Sequence, residues 1–394
     1  MKKCIALLMV LSMAFMVSGC FDDPDDEDYI LTLIAAGRDG GSTVPEEIYE
    51  KEGTQITLPG PDSYSRLGFT LAGWNTEEDG SGTVYLPGAS FTMPGENNTL
   101  YAQWSFAPST LDYRDFATVT GGTYTHTDTS GYETHSYTHT LDPYRIAKYE
   151  VTYELWYVVY LWACDNGYEF DIDHLGAEGH PGSYGSFPGG DKFEPVQNIG
   201  WCDAIVWCNA YSELSGYTPV YLSAEETVLR DAGDNNACNQ ALWDHDADGY
   251  RLPSEAEWQY AASNRGTLPY DYPAGSNDSY LNEAANVLVA WYRPNAYSVG
   301  ESHPDYGTHP VGTKDANALD LYDMSGNSTE WCWDWYAASP TEAQTNYTGP
   351  ETASRRVMRG GSYGDYAQYI IVGARMSGDP ATTSCGYRLA RNAE

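Results

Sequence analysis

The stretch Tyr250-Arg251-Leu252-Pro253-Ser254-Glu255-Ala256-Glu257-Trp258 pins the start of a helix to one residue. Ser254 is placed to accept from the first-turn backbone, and Glu257, three residues on, is placed to reach back to it, which is a capping box. The acids here therefore have a structural job and are not read as catalytic. A second start lies at Gly200-Trp201-Cys202-Asp203-Ala204, with a helix running toward Ser215 and Gly216 as its stop. Around these helices, from about residue 116, the chain is rich in Trp and Tyr with mixed α and β signals. The whole sequence carries 34 Tyr and 12 Trp. Such side chains join a rigid apolar body to a polar tip, which suits cores and recognition surfaces alike.

The N-terminus reads differently. Lys2 and Lys3 precede an apolar run, Cys4 to Val17, that is short for a membrane span. The run ends in Val17-Ser18-Gly19-Cys20, which resembles the lipobox of bacterial lipoproteins. That resemblance implies a signal peptide over 1–19, lipidation of Cys20 and a membrane anchor at the cell envelope. Residues 20–28, with DDPDDED at 22–28, form an acidic, solvated tether. The chain holds 56 acidic and 20 basic residues, a formal charge of -36, which repels nucleic acid and anionic membrane surfaces.

Between 29 and 104 lie short β-rich runs, Ile30 to Ile34, Thr54 to Leu58, Phe69 to Asn75 and Thr99 to Trp104, broken by Gly, Pro and Asp. Asp79-Gly80 and Gly82 mark a turn before Val84-Tyr85. Gly68-Phe69, Gly73-Trp74, Asp79-Gly80-Ser81-Gly82 and Leu100-Tyr101-Ala102-Gln103-Trp104 resemble the InlB-type B-repeat, or Listeria–Bacteroides repeat. This implies a small all-β, ubiquitin-like module of bacterial surface proteins, serving here as a spacer. Residues 105–115 are expected to link it to a main domain over 116–394.

In the main domain, YEVTYELW (149–156), GYRLPSEAEWQYAA (249–262), HPVGTKDANALDLYDMSGNSTEW (309–331), RGGSY (359–363) and GYRLAR (386–391) resemble, in this order, the formylglycine-generating enzyme (sulfatase-modifying factor) family. The resemblance implies an α+β, variant C-type lectin-like fold with little regular structure, small sheets and long loops. Its enzymes oxidise a sulfatase cysteine, using two cysteines after the RGGS-type stretch that bind copper as thiolates. Here the equivalent positions fall at about Asp365 and Ile370, and no Cys lies between Cys332 and Cys385. A carboxylate and an alkyl group do not hold a soft ion, so no copper and no catalytic residue are expected. Eight scattered His and no His-rich iron domain also argue against the sulfoxide-forming relatives. Past Cys4 and Cys20 the chain has six cysteines, Cys164, Cys202, Cys208, Cys238, Cys332 and Cys385, which allow fifteen pairings. Cys202 and Cys208 share a helix and stand about 9 Å apart along it, too far to bridge.

Calcium is the one expected ion. Asp244, Asp246 and Asp248, with Gly249 and Glu255, match the letters of an EF-hand loop, although Pro253 and the helix start at Ser254 compete with that reading. The family resemblance implies a second set at Asp323, Gly326, Ser328 and Glu330, and another beginning near Asn286 and Val287.

Between the RGGS and GYRL frames, residues 360 to 391 contain no Lys, Glu or Trp. This segment resembles the variable proteins of diversity-generating retroelements, in which Asn codons of a C-terminal surface are mutated. Its common residues are reachable from Asn codons; Gln368 and Met376 are not. Tyr363, Asp365, Tyr366, Tyr369, Ile371, Ser377, Asp379, Thr382, Thr383 and Ser384 are the expected ligand-facing set, with Ile370 and Val372 in the core. The function expected is a non-catalytic surface lipoprotein that binds an extracellular protein or glycan. The alternative is a sulfatase-modifying oxidase or its accessory protein.

Overall fold

A computed structural model describes residues 28–36, 40–41, 47–107, 115–130, 133–180, 182, 185–381, 383 and 385–393. The signal segment, Cys20, most of the tether, Thr382 and Ser384 lie outside the described residues. The chain divides into two compact units between Ala107 and Pro108. No helix among the described residues is long and apolar enough to cross a membrane.

Among its described residues, the first unit is all β. Its main sheet runs in the order Glu47–Glu50, Tyr29–Ile34, Asn98–Phe106, Phe69–Asn75, Val84–Tyr85. Alternation along Tyr29–Ile34 turns Leu31 and Leu33 inward, where they meet Leu71, Trp74, Leu100 and Phe91. Gly73 is required: a Cβ there would stand 2.7 Å from the Tyr85 carbonyl oxygen, across the pairing of Phe69–Asn75 with Val84–Tyr85. The Asp79-Gly80 turn is organised by Asn75, whose side chain donates to the Gly80 carbonyl and accepts from the Gly82 N–H.

The second unit carries three small three-stranded sheets and five helices among its described residues. Phe116–Val119, Tyr144–Glu150 and Arg388–Asn392 form one sheet, so the C-terminal strand is held by the start of the domain. Gly122–Ser130 and Glu133–Leu141 form a long hairpin joined by Gln344–Thr345. Glu330–Trp335, Arg356–Arg359 and Met376–Gly378 form the third. The helices are α1 (Tyr153–Asp165), α2 (Trp201–Leu214), α3 (Asn235–Asn239), α4 (Glu255–Ala262) and α5 (Glu283–Val289). Helix α4 begins with the capping box: the Ser254 side chain accepts from Glu257 N–H, and the Glu257 carboxylate accepts from Ser254 N–H. Helix α2 ends at Ser215, followed by Gly216 at φ +78°. Thr152 caps α1.

The arginines of the sequence frames all turn into the core. Arg251 makes a two-pronged pair with Glu257. Arg359 bridges Asp128 and Glu255, which Arg375 also grips. Arg388 holds both oxygens of Glu330 and donates to the carbonyls of Ala147, Lys148 and Tyr322. Each is a charge that is costly to strand, so each fixes which segments meet.

Candidate functional site

The loop that follows the strand Arg356–Arg359 is built by two glycines. Gly360 and Gly361 have φ of +90° and +68°, and a Cβ on Gly361 would stand 2.6 Å from the Tyr369 carbonyl oxygen. That conformation and close approach fold the loop back on itself. Tyr363 N–H donates to the Asn327 carbonyl and Gly326 N–H to the Gly360 carbonyl, tying this loop to the one at 323–328.

Both positions where a thiol pair would stand are structural. Asp365 Oδ2 accepts from Ser362 N–H at 2.9 Å and from Ser362 Oγ at 2.7 Å, closing a turn. The Asp365 carbonyl in turn accepts from Arg293 N–H. Ile370 is sealed among Val289, Ala290 and Tyr292. A single turn of 3-10 helix, Ala367–Tyr369, separates the two.

What remains outward is aromatic. Tyr366 and Tyr369 are 53% and 41% exposed. Tyr363 is half-buried and stacks on His180 with centroids 5.1 Å apart, with Tyr297 and Tyr306 each at 6.2 Å. Burial and these neighbouring phenols push its hydroxyl well up. The Arg293 guanidinium lies over both Tyr297 and Tyr366, at 4.5 and 4.6 Å. On one side of this cluster is a cavity of about 290 Å³ lined by Glu178, His180, Asp191, Glu194, Tyr306 and Thr308. On the other, a cleft of about 470 Å³ is lined by Tyr270, Asp271, Tyr280, Gln368, Tyr369 and Arg375.

Two family models match this chain: the sulfatase-modifying factor enzyme 1-like domain over residues 100–393, and the Listeria-Bacteroides repeat domain over 37–103. The chain belongs to the sulfatase-modifying factor enzyme 1-like family. Among curated relatives it is 33% identical over 247 residues to a protein of Paenibacillus barcinonensis named Chaperone protein LppX, covering 59% of this chain and 75% of that one. It is 35% identical over 177 residues to the Formylglycine-generating enzyme of Streptomyces coelicolor, covering 41% of this chain and 51% of that one. The chain thus spans about half the length of that enzyme. Among solved structures it is similar to Treponema denticola variable protein 1, at 30% identity and TM-score 0.55, covering 71% of this chain and 95% of that one. CarF follows at 26% identity and TM-score 0.52, covering 71% and 98%. The fold and the resemblance to variable proteins stand on these matches.

Within this family framework, the expected ligand-facing residues divide. Tyr363, Asp365, Tyr366 and Tyr369 share the loop just described. Ile371 does not face out with them: it is 4% exposed, because residues 371–373 are pinned on one side by Tyr270–Pro273 and on the other by Thr129. Ser377 sits in the strand Met376–Gly378, paired with Val357. Asp379 and Thr383 close the turn after that strand, with Asp379 Oδ1 accepting from Ala381 N–H and Thr383 Oγ1 from Asp379 N–H. His180, Arg293, Tyr297, Tyr306, Tyr270 and Tyr280 join the face although no sequence pattern linked them to it. The aromatic run Trp291-Tyr292-Arg293-Pro294-Asn295-Ala296-Tyr297 was the available signal.

The expected calcium donors are not gathered as sets. Glu330 has both oxygens bonded to Arg388, and Trp258 Nε1 donates to one of them at 2.7 Å, so an internal cation stands where an ion was expected. Ser328 Oγ accepts from Gln197 and from Gly386 N–H. Gly326 is packed with the place of its missing Cβ 2.0 Å from the Trp291 carbonyl oxygen. Asp323 accepts from Gly312 N–H through Oδ2 and keeps a buried, unpartnered Oδ1; burial raises its pKa to about 6. In the other set, Asp244 accepts from Asp246 N–H, and Asp248 accepts from Thr218 N–H, which holds its carboxyl below the usual range. Glu255 is turned away to Arg359 and Arg375. Near Asn286, the Val287 carbonyl accepts from Lys314 Nζ at 2.7 Å. Among the described residues, His126, Asp128 and Glu255 do approach one another closely enough to share a metal, but the Arg359 guanidinium already bridges the two carboxylates.

Proposed function

We propose that this chain is a non-catalytic surface lipoprotein, anchored through Cys20, that binds an extracellular protein or glycan through the loop Ser362–Tyr369 and the aromatic residues around it. The observation that carries the reading is the fate of Asp365 and Ile370. One is spent on a turn and the other on the core, while Tyr366 and Tyr369 between them are left outward and Tyr363 beside them is half-buried. Tyrosine gives large contact area at low entropy cost, and the exposed Gln368 beside them gives an adaptable hydrogen-bonding group. The surface role is supported by the Listeria-Bacteroides repeat and the lipobox-like end of the leader.

Likeness to Treponema denticola variable protein 1 supports a finer reading, in which the segment is diversified by a retroelement. An adenine-rich near-copy of its coding sequence beside a reverse transcriptase gene would carry that reading, and a unique coding sequence would sink it. The binding reading is tested by presenting the full chain, and the Tyr363→Ala/Tyr366→Ala/Tyr369→Ala variant, to arrays of glycans and envelope proteins. Retention of a ligand by the wild type and its loss by the variant, with the circular dichroism spectrum unchanged, is expected. Equal retention by both would overturn it. Loss of acylation in Cys20→Ser, read by mass spectrometry, tests the anchor separately.

A further inference from the structure

The six cysteines past the leader stay open as fifteen pairings from sequence, and the fold narrows them. Cys202 is the second residue of α2 and Cys238 the fourth of α3, 2% and 0% exposed. The Cys202 thiol reaches the Asn235 side chain, with Sγ 3.5 Å from Oδ1. Asn235 and Cys238 are three apart on α3 and so share one face, which directs Cys238 toward the same sulfur. The Cys238 thiol donates to the Asp231 carbonyl at 3.7 Å, on the run that leads into α3, and the neighbouring Cys202 thiol together with burial pushes the Cys238 thiol far up. The other cysteines sit in separate places: Cys208 is deep in α2, Cys385 lies 3.9 Å from the Met358 sulfur, Cys332 is in the core around Trp258, and Cys164 is exposed at the end of α1.

Helix α3 also needs an anchor. It has five residues, is capped by the Asp234 carboxylate, and buries only Cys238 of its own side chains. It stands in a long excursion between the strand Tyr221–Leu222 and its partner Leu242–Trp243. A single buried thiol is a weak tether for such a segment.

We propose that Cys202 and Cys238 are a disulfide-forming pair that closes under oxidising conditions and staples α3 to α2. The oxidant is another disulfide, carried by a thiol oxidoreductase or a small molecule. The thiolate of one cysteine attacks its S–S bond and releases one thiol. The second cysteine then attacks the mixed disulfide and releases the other thiol. Two protein thiols become one S–S bond, and the oxidant's S–S bond becomes two thiols. Because both sulfurs are shielded in the folded chain, the exchange runs while α3 is undocked. Closure in the cell rests on the surface reading above, because disulfides persist outside the reducing cytosol; closure in vitro does not.

The test has two arms on the full chain. In the first, protein recovered from the cell envelope is denatured without reductant, alkylated and digested. A cross-linked peptide containing Cys202 and Cys238 is expected, with both alkylated only after reduction. In the second, reduced protein is refolded with oxidised glutathione. The same cross-link is expected, and the bond should lower the unfolding constant by roughly 10² to 10³-fold for a closed loop of about 37 residues. That gain should vanish with dithiothreitol and be absent from Cys238→Ser. Full alkylation of both cysteines in the second arm overturns the pair. Closure in the second arm but not the first supports the pair and overturns the surface location instead.

Discussion

Replacing Ile370 with alanine separates the two halves of this account within one loop. Ile370 is fully buried against Val289, Ala290 and Tyr292, and its carbonyl accepts from Ser325 Oγ at 2.6 Å. The substitution removes three carbons, worth about 2.4 kcal/mol at ~0.8 kcal/mol per buried methylene. The cavity left behind adds to this, so the loss of stability should fall in the range of about 2–5 kcal/mol. Tyr369, one residue earlier and 41% exposed, should cost under about 1 kcal/mol when cut to alanine. Urea unfolding is the assay, followed by near-ultraviolet circular dichroism. Ten of the twelve tryptophans lie beyond residue 107, so this signal reports the second unit rather than the β module. If Ile370→Ala costs less than about 1 kcal/mol, or no more than Tyr369→Ala, then Ile370 is not the core residue that closes this loop. The claim that a thiol position has been converted to packing would fall with it.

Other outcomes follow from the same geometry. Gly361→Ala places a Cβ 2.6 Å from the Tyr369 carbonyl oxygen at φ +68°, and should destabilise the second unit by about 2–4 kcal/mol in urea titration. Glu194 has its pKa raised to about 8, chiefly by burial. The folded state therefore keeps a proton that the unfolded chain releases near its ordinary value, so this group's contribution is intact at low pH and is lost as pH rises toward 8. Glu194→Gln should flatten the decline of unfolding free energy over that window, and an unchanged slope would refute the assignment. Asp323, raised to about 6, adds the same sign over a lower and narrower range. Copper(I) titration should reveal no tight thiolate site near the loop, and a cysteine peptide should emerge without an aldehyde after aeration; aldehyde formation would favour the oxidase reading.

The parts of the fold that were legible in sequence are those governed by near neighbours. Ser254 and Glu257 are three apart, and their reciprocal bonds form as read. Gly216 ends α2 because a left-handed residue was written just after it. Glu330 was misleading for the opposite reason. An acid near Asp323 and Gly326 has the same letters whether it faces an ion or a guanidinium, and its partner Arg388 is 58 residues away. The resemblance to variable proteins puts Ile371 in the ligand-facing set, between the core residues Ile370 and Val372. The segment is instead irregular and gripped from both sides, so all three are buried. The face around Tyr363 was half legible. Its own residues were evident, but His180, Tyr297 and Tyr306 arrive from distant loops that only the fold brings together.

The most direct test of the central claim is hydrogen–deuterium exchange of the full chain with and without the partner recovered from the arrays. Residues 362–369, with the segments carrying Arg293 and Tyr297, should gain protection on binding, while the β module at 29–104 should exchange as before. Protection confined to the β module, or to the far turn at Asp379 and Thr383 with none at Tyr363 to Tyr369, would contradict the assignment of this loop as the binding face.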